Sequence, residues 1–310
     1  VDVLARHAWS ADDRLDLYAD VARSADAIGR FAGAREARGY LDFCARARRI
    51  YAALDRPFLR GSRPNPVSLV GRVGLRGLPD LMRISPLTTM WQALGRHFTD
   101  PRLRQLFGRY ATYCGSSPFR APATLMLVAH VEQDGVWLVD GGMHRVAEAL
   151  ANLAVQRGAT LRGDAPVDAI LTRDGRACGV RLAGGEELDA DAVVFNGDVS
   201  ALATGLLGPD VTGAAAAVDP ASRSLSAVTW NLHAPTSGFP LARHTVFFSD
   251  DSAGEFADLF DHGRLPGSPT VYVCAQDRDD TGRAAPPGPE RLLMIVNAPA
   301  RGDGRPFGRR

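Results

Sequence analysis

The tripeptide Asp140-Gly141-Gly142 constrains this 310-residue chain more than any other feature. It separates an apolar run, Val136–Val139, from a segment with Met143, Val146, Leu150 and Leu153 at helical spacing, which Gly158 closes at a C′ position. The pattern predicts strand, sharp turn, helix. Two glycines at such a junction have two readings. Either the turn needs positive φ, or the backbone comes close to a ligand at a helix N-terminus. Further on, DADAVVFNGD reads as a buried strand within Leu188–Asn196 that ends in Asn196-Gly197-Asp198. Ligands of open α/β sheets bind beyond the carboxyl ends of strands. There Gly197 would let a cofactor approach, and Asn196 or Asp198 would reach a ribose or phosphate. Asp198 is equally suited to cap the helix that follows.

Elsewhere the pattern alternates between α and β. Arg6–Ser10 and Arg14–Tyr18 predict a hairpin across Ala11-Asp12-Asp13, and Ser24 predicts a cap for a helix through Phe31. Arg35–Leu54 predicts a longer helix with Tyr40, Cys44, Ala47, Tyr51 and Leu54 on one stripe. A loop at Gly61–Pro66 precedes helical patterns at Leu78–Arg83, Leu87–Phe98 and Arg102–Tyr113. Val167–Leu171 and Gly179–Leu182 flank Arg173-Asp174-Gly175-Arg176, a hairpin signature. A short helix fits Val199–Leu207. Strands follow at Ala227–Leu232, Thr245–Phe248, Thr270–Cys274 and Leu292–Val296, with a helix near Ala253–His262. Arg301–Arg310 has no apolar period and reads as a frayed tail.

All 36 basic residues are Arg, and against 35 acidic residues they leave a net charge of +1, which excludes a nucleic-acid footprint. Cys44, Cys114, Cys178 and Cys274 form no CxxC, and the seven histidines show no metal-ligand spacing, so no metal is expected. No apolar run approaches the roughly 20 residues of a membrane span. No nucleophile sits in a recognisable triad context, and the catalytic residues are not identified. His130, near Glu132, and His144, after the double glycine, are the histidines best placed to line a pocket.

The segments VLARHAWSADDRLDLYAD, SSPFRAPATLMLVAHVE, GVWLVDGGMHRVAEAL, HTVFFSDD, PTVYVCAQDRD and LLMIVNAPA resemble the FAD-dependent carotenoid desaturases, phytoene-desaturase-like members of the amine-oxidoreductase superfamily. Within them the chain looks like the 1-hydroxycarotenoid 3,4-desaturases. The resemblance covers nearly the whole chain, and VYVCAQDRD with HTVFFSDD is its most specific part. It implies an α/β fold: a partial FAD/NAD(P)-binding Rossmann-like domain plus a mixed or antiparallel substrate-domain sheet with a helical insertion. The implied order is a substrate-domain hairpin at 1–20, a helical insertion facing substrate or membrane at 21–125, part of the FAD-binding domain at 126–208, and substrate-domain sheet at 209–300. It implies FAD as cofactor, held by Val167 through backbone bonds to the adenine, by Asn196, Gly197 and Asp198, and by Gly141 and Gly142. His130 and His144 would line the substrate tunnel.

The family's opening GxGxxG fingerprint is not in this sequence, since the only Gly-x-Gly, Gly302-Asp303-Gly304, precedes Pro306 and no helix pattern. The chain therefore reads as the middle of a longer protein, and residues 1–310 alone are expected to be inactive and not to hold FAD. A carotenoid substrate and a cytoplasmic protein peripheral to the inner, photosynthetic membrane are implied. Phytoene desaturase is the alternative enzyme. A non-catalytic isoprenoid binder, like the Rab GDP-dissociation inhibitors of the same fold, is the alternative of another class.

Overall fold

Alternating apolar side chains build six strands that share one sheet: β1 (Val3–Ala8), β2 (Arg14–Tyr18), β6 (Ser226–Ala234), β7 (His244–Phe247), β8 (Val271–Ala275) and β9 (Glu290–Ala298). The computed structural model describes residues 2–61, 87–279 and 286–301. The sheet order is β2-β1-β7-β8-β9-β6, antiparallel except for the parallel pair β1–β7. The expected β1–β2 hairpin is present, closed by Trp9 N–H to Asp13 O at 3.0 Å, while Ser10 Oγ accepts from the amides of Asp12 and Asp13. The strand registers align Leu15, His7, Val246, Tyr272, Ile295 and Thr229 across one face. Helices cover that face.

Two long helices dominate the cover, α1 (Val21–Ala32) and α2 (Ala34–Leu54). Asp20, not the expected Ser24, caps α1, by accepting from Arg23 N–H. Ser24 is buried one turn in, where its hydroxyl exchanges hydrogen bonds with the backbone of Tyr18 and ties the helix to β2. Short helices α3 (Met90–Leu94), α4 (Pro101–Gly108) and α5 (Leu127–Asp134) complete the layer, with a 3-10 segment Arg109–Cys114 after α4. Their core is aromatic: Phe43, Phe98 and Phe107 are almost wholly buried, with ring centroids 4.7–5.6 Å apart. Each such ring contributes roughly 1.5–3 kcal/mol by burial. Met90 is buried in this core, whereas Trp91 packs on Phe119 with Arg104 over its ring. The patterns at Leu87–Phe98 and Arg102–Tyr113 give shorter helices than expected, and those at 61–66, 78–83 and 302–310 lie wholly or largely outside the described residues.

The other face of the sheet carries a smaller cluster, Leu241, Val273, Ala275 and Leu292. Beside it the VYVCAQDRD segment ends in a buried ion pair. Arg278 donates to Glu290 through Nε (2.8 Å) and Nη2 (2.6 Å), to Thr236 Oγ1 (2.9 Å), and through Nη1 to Leu241 O (2.5 Å). Thr236 Oγ1 also donates to Glu290. The Ala253–His262 pattern is α8 (Ser252–Ala257) followed by a π turn, Asp258–His262.

The chain divides into two units, residues 1–137 with 224–310, and residues 138–223. The second unit begins at Leu138, and α5, at the start of the expected 126–208 stretch, packs on α2. Its sheet is β3 (Val167–Arg173), β4 (Arg176–Leu182) and β5 (Glu187–Asp189), all antiparallel. Asp174 (φ 52°) and Gly175 (φ 75°) make the expected tight hairpin turn. Two expected strands do not form. Val136–Val139 and Ala192–Asn196 belong to no strand of either sheet among the described residues, and a strand exists only through ladder partners. Ala192–Phe195 is accordingly not buried, with Val194 91% exposed. Helix α6 (His144–Gln156) forms over the expected span with Gly158 (φ 91°) at C′, yet none of its side chains is buried. Helix α7 (Ser200–Ala203) is shorter than the expected Val199–Leu207.

Candidate active site

A polar cluster faces the helix-covered side of the large sheet, wholly inside the first unit. Two adjoining cavities, about 320 Å³ and 290 Å³, share Arg109, Tyr113 and Tyr272. Thr270, Ile295 and Asn297 line the first. Leu4, Ala5, His7, Leu17, Tyr110, Glu132, Val136 and His244 line the second. The sheet supplies one wall through the side chains that strand alternation sends to this face. The 3-10 segment supplies Arg109, Tyr110 and Tyr113, and α5 supplies Glu132.

Several of the polar groups here hold one another. The Glu132 carboxylate accepts from Tyr110 Oη (2.5 Å) and Tyr113 Oη (3.1 Å). Burial raises its pKa against these two hydrogen bonds and the Arg109 charge, which act to lower it. Burial and the same carboxylate push the Tyr110 phenol well above its usual range. His244 Nδ1 and Tyr272 Oη lie 2.7 Å apart with their rings stacked. Burial, Arg243 and Arg109 lower the His244 pKa. Burial pulls His7 down to about 3, with Arg109 adding to the effect. Both imidazoles are therefore neutral near pH 7. The Arg109 guanidinium sits 5.8 Å from the Tyr113 ring and 5.9 Å from the Tyr272 ring. The result is an apolar-walled cavity with one carboxylate, one guanidinium and neutral donors and acceptors. It suits an uncharged, largely apolar ligand with few polar atoms.

The residues expected from sequence lie apart from this cluster. His130 packs edge-on against Tyr51, with centroids 4.9 Å apart, and His144 is an exposed side chain 3.5 Å from Glu148. Neither is among the residues lining the two cavities. Val167, Gly141, Gly142 and Asn196–Asp198 all belong to the second unit. Gly141 (φ 77°) and Gly142 (φ 90°) form the turn, with Gly142 N–H bonded to Val139 O at 2.9 Å. Arg109, Tyr110, Tyr113, Tyr272 and His7 belong to no catalytic or ligand-binding motif of the sequence. His7 had a local signal, a polar residue at the parity of Val3 and Ala5. The tyrosines had none, because helix, 3-10 segment and strand come together only on folding.

A profile of the family described as flavin containing amine oxidoreductase matches residues 83–285. The chain belongs to the flavin-containing amine oxidoreductase family. Within known proteins it is 60% identical, over 98% of its length and 58% of the relative's, to a hydroxyneurosporene desaturase of Rubrivivax gelatinosus. To the hydroxyneurosporene desaturase of Cereibacter sphaeroides it is 45% identical over 98% of its length and 60% of the relative's. A 4,4'-diapolycopene oxygenase of Methylomonas is 34% identical over 72% of this chain and 44% of that protein. The chain thus spans 58% and 60% of the length of the two desaturases it matches.

The residues expected to hold the cofactor, Gly141, Gly142, Val167 and Asn196–Asp198, are exposed on the second unit. A side chain added at Gly142 would meet nothing within 4 Å, so its backbone is open to a ligand. Helix α6 starts just beyond it with no side-chain cap, and its first-turn amides of Arg145 and Val146 bond to Gly142 O and Met143 O, both at 3.1 Å. Val167 is 42% exposed at the start of β3. Asp198 is already engaged, accepting from Ser200 N–H (2.8 Å) and Ser200 Oγ (2.6 Å), but the N-cap position of α7 is Val199, one residue beyond the expected Asp198.

Proposed function

We propose that this chain is part of an FAD-dependent desaturase that introduces the 3,4 double bond into a 1-hydroxycarotenoid. The observation that carries the reading is 60% and 45% identity to two hydroxyneurosporene desaturases along 98% of the chain. The first unit's cavity supports it, being apolar-walled with a few interior polar groups.

FAD, when bound, supplies the hydride acceptor for the reaction. Val167, the Gly141-Gly142 turn and Asn196–Asp198 would hold its nucleotide end, and the second unit would be part of a Rossmann-like domain. Every other requirement falls on the cavity. Desaturation removes a hydride from one carbon and a proton from its neighbour. Glu132 is the carboxylate that lines the cavity, and one of its oxygens takes that proton. Tyr110 and Tyr113 orient the carboxylate, and their phenols steady its charge. Leu4, Ala5, Leu17 and Ile295 exclude water from the carbon chain. No helix of the described residues is long and apolar enough to cross a membrane. The lipid-stored substrate of this reading is what supports peripheral association with the membrane.

The test is to express the gene at full length with FAD and supply a 1-hydroxycarotenoid. One added conjugated double bond shifts the carotenoid absorbance to longer wavelength. A protein that binds FAD and carotenoid without that shift would favour the non-catalytic isoprenoid binder.

A further inference from the structure

His7 is unusual among the cavity residues. It is 6% exposed, it lies between Leu15 and Val246 in a sheet row that is otherwise mostly apolar, and its ring stacks on Phe248 at 6.0 Å. Its Nδ1 is buried and has no hydrogen-bond partner. Native proteins seldom leave such an atom unpaired without a use for it. The neighbouring groups are already engaged: Glu132 with the two tyrosines, and His244 with Tyr272. His7 lines the cavity and keeps its buried Nδ1 without a hydrogen-bond partner, while the Leu15 backbone engages the ring.

The chemistry of that position narrows the ligand. A buried imidazole beside the Arg109 charge stays neutral, so it cannot serve as the cation for a carboxylate. A neutral ring nitrogen is a donor or an acceptor according to tautomer, and a hydroxyl satisfies either. We propose that His7 Nδ1 meets the substrate's tertiary hydroxyl, and that this contact makes the site prefer hydroxylated over unhydroxylated carotenoids. The inference rests on the desaturase reading, and one further observation agrees with it. In a 1-hydroxycarotenoid the hydroxyl-bearing carbon is only two bonds from C3. The group that meets the hydroxyl must then share a cavity with the group that takes the proton. His7 and Glu132 line the same 290 Å³ cavity.

The test compares His7→Phe, His7→Leu and His7→Asn with the unaltered protein at full gene length. Affinity for a 1-hydroxycarotenoid and for the same carotenoid without its hydroxyl is read from quenching of tryptophan fluorescence, and kcat/KM is measured for both. The unaltered protein should favour the hydroxylated carotenoid by about tenfold, the usual consequence of leaving a buried polar group unpaired. In His7→Phe and His7→Leu the ratio of the two affinities should fall to roughly threefold or less, and His7→Asn should restore part of it. If the Phe variant fails to fold, the Leu variant carries the comparison. An undiminished ratio in the folded Phe or Leu variant overturns the role of His7. Equal affinity for both carotenoids in the unaltered protein also overturns it, but leaves the desaturase reading standing. Binding of neither carotenoid overturns both.

Discussion

The buried pair Arg278–Glu290 gives the sharpest stability prediction. Its side chains are 7% and 1% exposed, and the pair closes with charge-assisted hydrogen bonds to Thr236 and Leu241 as well as to each other. Bonds to charged groups contribute about 1.5–3 kcal/mol each, but removing each ion from water costs several kcal/mol, so the intact pair is close to neutral for stability. Breaking it is another matter. Glu290→Ala leaves the Arg278 guanidinium buried with no counter-charge, and should cost about 3–5 kcal/mol in urea unfolding. Glu290→Met combined with Arg278→Leu removes both charges and should recover most of that loss. The pH dependence has a definite sign. Hydrogen bonding to Arg278 lowers the folded Glu290 pKa below 4.5, so the unfolded chain binds the proton more readily. The stabilisation is fully present above 4.5 and is lost as pH falls through the depressed folded value. Glu290→Gln should remove that component of acid sensitivity. A single variant costing less than about 1 kcal/mol, or a double variant costing the sum of its singles, would refute the reasoning.

Other expectations concern the site and the core. Glu132→Gln should slow desaturation by roughly 10²–10⁴-fold. Because burial raises the Glu132 pKa, wild-type kcat/KM should fall as pH drops through a value above 4.5, and the variant should lack that limb. Gly39→Ala should destabilise by about 1–3 kcal/mol in thermal melts, since the new methyl carbon would lie 2.0 Å from His97 O and force the backbone apart. Phe43→Ala should cost about 3–5 kcal/mol by urea titration, given a fully buried ring against Phe98 and Phe107. His7→Leu should weaken the loss of stability on acidification below pH 6.5, because the folded His7, held to about 3, resists the proton that the unfolded chain accepts.

The sequence by itself determined the elements whose signals are local. Period-two alternation and the Ala11-Asp12-Asp13 turn specified the first hairpin, Asp174-Gly175 specified the second, and the spacing of Tyr40, Cys44, Ala47 and Leu54 specified α2. Helix α6 and its C′ glycine were legible for the same reason. Family membership was legible too, because it rests on the order of segments. Tertiary structure alone decided what depends on partners distant in sequence. Val136–Val139 and Ala192–Asn196 have strand composition, yet among the described residues neither belongs to a strand of the two sheets. Ser24 looks like a cap, but Asp20 reaches the free amide first, and the Ser24 hydroxyl goes to Tyr18. The cavity shows the same limit most clearly. Tyr110 and Glu132 are joined across 22 residues and His244 and Tyr272 across 28. Tyrosines, histidines and carboxylates at such separations carry no periodicity. They become a site only when the 3-10 segment and α5 close over the sheet, because hydrogen bonding and shared desolvation act through space and not along the chain.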